Sequence, residues 1–391
     1  MPEPIPFEPP PKAAASKQPW PKRVLVTVFL CFGVLHLAPA KWIESVYCEA
    51  IYPQVFRLQK AAFGGLSFSA SEVLLLLATC AVMLLSIRGL SGILRQTITL
   101  SIGVQAGIVR GVFWTGLCYL TFLGLWGFHH ARLPYATHIG LDRFLNRPEL
   151  AIQTAELEAL CRSLVTGCNQ IEPLVDQNLI SMESNAGQSL ALTAMANLSK
   201  KIPIFGGREP SFRLAKGAPL LSRLGISGIY SPFTGDAHLN GQQPSWARPF
   251  TACHEMAHQL GVAREGEANF VAWQACMGSD SNELRYSAYM VALGSASNAL
   301  FGLQGGREDS VVFEILAGLS PEVQEQRNRA AAWWAEMMGL AGNLAQATNH
   351  AYLRSQGQAD GVESYGHLVD LILADRRRED AELRDRKQAA E

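Results

Sequence analysis

The sequence predicts a mainly α-helical protein. Three N-terminal transmembrane helices are followed by an α+β domain with a small sheet and a helical C-terminal half. Long apolar runs cluster in the first third of the 391-residue chain, whereas amphipathic helical patterns fill most of the rest. Between residues 203 and 250, glycine, proline and serine become dense and short β-prone runs appear, which is typical of strands and turns.

The composition favours a membrane protein over a nucleic-acid-binding one. Charged residues make up 17% of the chain, apolar residues 48%, and the formal net charge is -1. Such a chain has no overall positive field to attract nucleic acid, so no nucleic-acid partner is expected. A charged fraction this low is unusual for a soluble protein and indicates membrane-spanning segments.

Three apolar runs are candidates for membrane-spanning helices. They are Val24–Ala40, Val73–Ile87 and Gly111–Phe128. A spanning helix needs about 20 mostly apolar residues, with a usual range of about 17–25. Buried helices of a soluble core are the alternative interpretation, and the first run could be a cleaved signal peptide. The clustering of three runs favours spans, with the lipid bilayer as a partner.

Basic residues in the short loops predict the orientation of these spans. The basic residues that favour the cytoplasm are Lys12, Lys17, Lys22 and Arg23 before the first run, and Arg88, Arg95 and Arg110 between the second and third. This bias predicts a cytoplasmic N-terminus and places everything after about residue 129 outside the cytoplasm.

The chain divides into four predicted segments. They are a proline-rich, disordered cytoplasmic tail (1–22), a membrane domain (23–128), an extracytoplasmic domain (129–376) and a charged helical tail (377–391). No CxxC pair occurs among the eight cysteines, so a zinc module built from cysteines alone is not expected.

The stretch "FTACHEMAHQLGVAREGEANFVAW", residues 250–273, carries the strongest chemical signal. His254 and His258 are four apart on a predicted helix, so both imidazoles lie on one face and can bind one Zn²⁺ ion. Glu255 beside them can take a proton from a metal-bound water and return it to a leaving amine. The pattern therefore predicts a zinc hydrolase, although two unrelated histidines on an ordinary helix would spell the same motif.

A catalytic zinc site needs a third protein ligand. Glu265 and Glu267 are both candidates; a carboxylate cap at a helix N-terminus is the alternative role for either. Zincins with a glutamate ligand often carry Asp or Asn four residues after it, where it supports a ligand histidine, and Asn269 matches Glu265 in this way. Glu265 is therefore favoured, which requires a sharp turn near Gly261.

Residues 226–240 could supply the edge strand that zincin domains generally place above the metal. Candidates for stabilising a substrate oxyanion there are Tyr230, Asp236, His238 and Asn240, although packing on the site helix explains each equally well. His129 and His130 follow the third run and are expected at the membrane interface. Near the C-terminus, Tyr352, Tyr365 and His367 could approach the site, but their spacing does not require it.

The chain resembles an uncharacterised bacterial membrane family, domain of unknown function 3810. The similarity rests on "SVYCEAIYPQVFR", "GISGIYSPFTGDAHLN", "ACHEMAHQLGVAREGEANFVAW" and "SQGQADGVESYGHLVDLIL", and covers about residues 24 to 376. The resemblance implies a membrane-anchored zinc metallopeptidase, with His254, Glu255 and His258 matching the family's HExxH.

The leading hypothesis is an integral zinc endopeptidase of a bacterial inner or cytoplasmic membrane, with a zincin-like catalytic domain outside the cytoplasm. His254, His258 and Glu265 bind Zn²⁺, and Glu255 is general base. The substrate is a protein or peptide, expected near the membrane. The alternatives are a non-catalytic zincin-like sensor or scaffold and a zinc hydrolase acting on a non-peptide amide.

Overall fold

The computed structural model describes residues 38–95, 100–145, 149–307, 309–339 and 365–388, with residues 26, 33 and 342. These residues are mainly helical and include one small three-stranded sheet, as predicted. Contacts divide the chain into two compact units. The smaller unit is drawn from 1–37 and 82–121; the larger one is drawn from 38–81 and 122–391 and contains every residue of the candidate site.

The helices and strands have the following bounds. The longer helices are α1 (Tyr52–Phe63), α2 (Ala70–Leu94), α3 (Leu100–Leu125), α4 (Leu150–Ile171), α5 (Asn185–Lys201), α6 (Arg248–Gln259), α7 (Glu265–Met277), α8 (Asn282–Leu303), α9 (Pro321–Met337) and α10 (Tyr365–Gln388). Shorter helices are Ala40–Trp42, Tyr135–His138, Gln177–Ile180, Ala218–Arg223 and Val311–Ala317, and Ile43–Ile51 is a π-helix. The strands are β1 (Phe212–Leu214), β2 (Gly228–Ser231) and β3 (Asp236–Leu239).

Two of the described helices are long and apolar enough to cross a membrane, Ala70–Leu94 and Gly103–Leu125, whereas the sequence predicted three spans. The first predicted span, Val24–Ala40, lies almost wholly outside the described residues. Within the described part of the chain, no residue of the most apolar stretch of α2 is buried.

The last predicted span ends three residues earlier than expected. Helix α3 stops at Leu125 rather than Phe128, because Trp126 leaves the helical conformation with φ -160°. The indole of Trp126 is buried in the larger unit instead of continuing the apolar helix. The exit from the helix is thus set by a tertiary contact that the apolar pattern of the sequence does not contain.

Serine side chains begin several helices of the larger unit. Ser184, Ser281 and Ser320 each accept a hydrogen bond from a backbone N–H in the first turn of α5, α8 and α9. A cap of this kind satisfies a donor that has no partner within the helix. Pro321 at the start of α9 lacks that donor altogether, which suits the first helical position.

The sheet has two distinct faces. Its strand order is β1-β3-β2, with β1 parallel and β2 antiparallel to the central β3, so β2 is an edge strand among the described residues. Directly paired residues point to the same face. The inner face carries Phe212, Ala237 and Tyr230, and the outer face carries Arg213, His238 and Ile229.

The outer face contacts the segment that leads into α2. The Arg213 guanidinium donates to the carbonyls of Phe63 (3.0 Å) and Gly64 (2.9 Å), and His238 Nε2 lies 2.8 Å from Ser69 Oγ. Ser69 Oγ also accepts from the N–H of Glu72 and so caps the start of α2. The sheet and the beginning of this helix are therefore one packed structure.

The C-terminal charged segment is not separate from the helix before it. Helix α10 runs from Tyr365 to Gln388 and crosses the predicted boundary at residue 376. Its first half is buried, including Leu368, Leu371 and Ile372, and its last turns are largely exposed. The helix is continuous across the predicted boundary, and its charged residues concentrate where it becomes exposed.

A buried ion pair joins the π-helix to the segment after α3. Arg132 makes a bidentate contact to Glu44, with Nη2–Oε1 at 2.7 Å and Nε–Oε1 at 3.0 Å. Burial by itself would raise the pKa of the Glu44 carboxyl, but His138 and Arg132 lower it to about 2. Because the pKa of Glu44 is lower in the folded than in the unfolded protein, its ionised carboxylate stabilises the fold at pH values above the unfolded-state pKa.

We expect Arg132→Met to lower the free energy of unfolding by about 3–5 kcal/mol, because Glu44 would stay buried without its partner. In the wild type, the free energy of unfolding should fall as the pH drops from about 4.5 to about 2. The reason is that Glu44 takes up its proton at a higher pH in the unfolded protein than in the folded protein. Glu44→Gln/Arg132→Met should lose that part of the pH dependence. Thermal melts of detergent-solubilised protein across pH measure this, and identical slopes in both proteins would contradict it.

Candidate metal centre

The turn after α6 is built by a glycine. Gly261 has φ +93°, a conformation that side chains with a Cβ rarely adopt. Its N–H donates to the carbonyl of His258 (3.0 Å), and the N–H of Val262 donates to that of Ala257 (3.1 Å). These two hydrogen bonds form a Schellman motif, which ends the helix and reverses the direction of the chain. The sharp turn predicted near Gly261 is confirmed.

The reversal brings three predicted ligands together. His254 Nε2 and His258 Nε2 are 3.0 Å apart. Glu265, the first residue of α7, lies with Oε2 3.2 Å from His254 Nε2 and Oε1 3.6 Å from His258 Nε2. One ligand atom from each residue falls within 4.8 Å of the others. We call this group of three residues the His2Glu cluster.

The donor set fits a zinc ion. Zinc binds imidazole nitrogen and carboxylate oxygen at about 2.0–2.2 Å, so donors around a tetrahedral ion lie about 3.3 Å apart. The two Nε2 atoms lie 3.0 Å apart, and the nearest Glu265 oxygen lies 3.2 Å from His254 (Oε2) and 3.6 Å from His258 (Oε1), which is close to that spacing although two different oxygens are involved. Two histidines and one glutamate also leave a fourth position for water, as catalytic zinc sites require.

The cluster is electrostatically coupled. Burial lowers the pKa of His258, but Glu265 outweighs this effect and raises it to about 9. Burial raises the pKa of Glu265, but His258 and His254 hold it well below its usual range. The carboxylate is therefore charged and attracts a positive partner, which is either an imidazole proton or a metal ion that displaces it.

A backbone carbonyl orients His258. Its Nδ1 lies 2.7 Å from the carbonyl oxygen of Val262, which accepts the Nδ1 hydrogen and leaves Nε2 directed at the cluster. This contact follows directly from the turn at Gly261. The sequence pointed to Asn269 as the group that supports a ligand histidine, whereas the group at His258 Nδ1 is Val262.

Glu255 projects toward the sheet. It is buried, with 5% of its surface exposed. A Cβ built on Gly228 of β2 would lie 2.5 Å from Glu255 Oε1, so the glutamate packs directly against this glycine. Burial raises the pKa of the Glu255 carboxyl, and the neighbouring histidines lower it in part. A raised pKa makes the carboxylate a better proton acceptor near neutral pH.

Glu267 is directed away from the histidines. Its Oε1 accepts hydrogen bonds from the backbone N–H of Tyr135 (2.9 Å) and from Arg264 Nη1 (3.2 Å). It therefore ties the start of α7 to the segment after α3. Of the two glutamates that the sequence left open as third ligand, only Glu265 joins the cluster.

Side-chain donors surround the end of α6. Four successive carbonyls, from His258 to Gly261, each accept a hydrogen bond from a distant residue. The donors in order are Trp126 Nε1 (2.9 Å), Tyr52 Oη (2.7 Å), an Arg208 nitrogen (3.1 Å) and Arg132 Nη1 (3.4 Å). Terminal carbonyls of a helix lack partners within it, and cationic donors there also suit the helix dipole.

Sequence reasoning missed His130 as a neighbour of the cluster. Its expected place at the membrane interface stays a prediction, but the charges of His258 and Glu265 both influence its pKa. Burial, followed by His258, lowers its pKa to about 4, so it is neutral at physiological pH. Its ring lies 5.3 Å from that of Trp126. Its position in the sequence right after a span gave no signal of this approach.

His129 also packs into the larger unit. Its ring meets Tyr52 edge-on at 4.2 Å, and its Nδ1 lies 3.5 Å from Cys48 Sγ. A Cβ on Gly261 would lie 2.6 Å from the His129 ring, so this histidine closes over the turn that follows α6.

The four candidate oxyanion residues all have structural contacts. Tyr230 Oη is 3.5 Å from Tyr52 Oη, and Asp236 is 3.6 Å from Arg213 Nε. His238 contacts Ser69, and Asn240 donates to the carbonyl of Ile226 (2.9 Å). These contacts hold the sheet, and a role at a substrate stays a prediction. Tyr365 and His367 lie in α10, and Tyr352 lies outside the described residues.

The sequence family described as "Protein of unknown function (DUF3810)" matches residues 47–373, so the chain belongs to that family. The match includes the His2Glu cluster, Glu255, the sheet and both described candidate spans. No curated protein and no solved structure matches the chain.

We expect Gly228→Ala to destabilise the fold by about 1–3 kcal/mol, because the new methyl group would overlap the Glu255 side chain in a packed site. Gly294→Ala is the matched control: it lies within α8 with open space around its Cβ position, and it should be neutral or stabilising by up to about 1 kcal/mol. Thermal melts measure both. Equal stability of the two variants would mean that Glu255 does not pack against β2.

Proposed function

We propose that this protein is a membrane-anchored zinc metallopeptidase with a zincin-like catalytic unit outside the cytoplasm. The observation that carries the proposal is the meeting of two histidines and Glu265 at zinc-ligand spacing, beside a buried glutamate that packs under an edge strand. Two helices of suitable length and apolarity support the anchor, and the loop charges support the orientation.

The chemistry follows from the roles open to each side chain. Zinc, when bound, supplies a Lewis acid that polarises a carbonyl and makes water more acidic. His254, His258 and Glu265 hold the ion, and the Val262 carbonyl keeps His258 in the tautomer that exposes Nε2. Glu255 accepts the proton of the attacking water and returns it to the amine of the cleaved bond.

The edge strand favours a peptide as substrate. Gly228 lacks a side chain at the point where β2 meets Glu255, so a backbone can approach the glutamate closely. An extended peptide that added to the free edge of β2 would pass over Glu255 and the cluster. Hydrolysis of a non-peptide amide would not need such an edge.

A missing third ligand would favour the sensor or scaffold alternative. Glu265 lies at ligand distance from both histidines, which supports the catalytic proposal instead. The raised pKa of Glu255 supports it as well, since carboxyl groups with perturbed pKa values are common at catalytic sites.

We expect about one zinc per chain in detergent-solubilised protein, measured by elemental mass spectrometry after dialysis. His258→Ala and Glu265→Ala should each weaken zinc binding by at least about tenfold, because each removes a ligand. Glu267→Ala is the matched control on the same helix and should keep its zinc, since its carboxylate binds Tyr135 and Arg264. A folded wild type without zinc would refute the proposal.

We expect Glu255→Gln to keep the zinc and to lower hydrolysis of a quenched fluorescent peptide library by about 10²–10⁴-fold, since the amide cannot accept the proton. Glu314→Gln, at an exposed glutamate paired with Arg162, should leave the rate unchanged. Undiminished cleavage by the Glu255→Gln protein would assign the activity to a contaminant or to another base.

A further inference from the structure

We propose that the substrate is a membrane-anchored polypeptide, cleaved within about six residues of its own transmembrane segment. This inference rests on the proposed function and defines the substrate class of the same site. It follows from how the sheet that borders the cluster is held to the ends of the two candidate spans.

The sheet lies between the site helix and the start of a span. Its inner face packs on α6, where Gly228 meets Glu255. Its outer face carries the row Arg213, His238 and Ile229, and the first two bind the residues that lead into α2. Glu255, which is next to His254 in α6, and the residues that lead into α2 thus contact opposite faces of a single sheet.

The end of the other span is bound even more directly. Trp126 follows the last residue of α3, and its indole N–H donates to the carbonyl of His258, a residue of the cluster (2.9 Å). The Trp126 ring also lies 5.4 Å from Tyr230 on β2. Tryptophan at the end of a span is favoured at the membrane–water interface. The site therefore belongs at the bilayer surface.

The register of the sheet determines how far a substrate strand beside β2 would lie from the start of α2. A substrate strand added beside β2 would continue the row of Arg213, His238 and Ile229. It would lie two strand spacings, or about 10 Å, from His238, which contacts the cap of α2. An extended chain covers about 3.3 Å per residue, so about three residues cross this distance and six allow for an oblique path.

The outer face also presents an apolar residue where such a substrate would enter. Ile229, on the outer face of the edge strand β2, is 45% exposed. Phe68, just before α2, is 43% exposed, and Phe233, in the turn after β2, is 38% exposed. Apolar side chains at this level suit the interface and the apolar flank of a substrate's own span.

The experiment uses full-length protein in phosphatidylcholine vesicles with zinc. One substrate is a randomised eight-residue segment joined through four Gly/Ser residues to a synthetic Leu/Ala transmembrane helix. The second carries a 24-residue spacer, and the third is the same segment without the helix, at equal total concentration. Cleavage sites and rates are measured by mass spectrometry, with Glu255→Gln protein as the blank.

We expect the short-spacer substrate to be cleaved at least tenfold faster than the soluble one, with cuts concentrated within about six residues of its helix. Cleavage of the soluble segment at an equal rate, or cuts spread evenly along the long spacer, would overturn this inference and leave the peptidase proposal standing. No cleavage above the Glu255→Gln blank in any of the three would overturn both.

Discussion

The C-terminal end of the site helix, α6, is held by hydrogen bonds that backbone carbonyls there accept from distant side chains. Four successive carbonyls, beginning with that of His258, accept hydrogen bonds from Trp126, Tyr52, Arg208 and Arg132. The His258 carbonyl also accepts from the Gly261 N–H, but without these side-chain donors the other three carbonyls would be left unsatisfied, each costing about 1–3 kcal/mol. These bonds therefore fix the helix against residues that flank both candidate spans. The turn at Gly261, the orientation of His258 and the approach of Glu265 all depend on that fixed helix end.

The sheet is small, yet it connects the site to the rest of the molecule through both faces. On the inner side, a glycine at the start of β2 allows the backbone to approach Glu255. On the outer side, Arg213 and His238 bind the segment before α2. Because directly paired residues share a face, a register slip of one residue would exchange the two sets. The pairing therefore determines which side of the strand borders the cluster.

Three glutamates close in sequence have different roles because they have different partners. Glu255 is buried against backbone and has a raised pKa. Glu265 faces two imidazoles and is held as a carboxylate. Glu267 accepts hydrogen bonds from a backbone N–H and from an arginine. Identical side chains within 13 residues of one another thus occupy three different environments, and only their surroundings distinguish them.

The sequence by itself determined what depends on local geometry: the apolar helices α2 and α3, the shared face of His254 and His258, and the turn that only Gly261 permits. The short link to Glu265 made it a good candidate, although spacing could not exclude Glu267. Only the tertiary structure decided that choice, and only it brought Trp126, His130 and Gly228 to the site. Helical periodicity relates residues about one turn apart, whereas contacts between residues on different elements depend on packing and on satisfying buried polar groups, which no local pattern records.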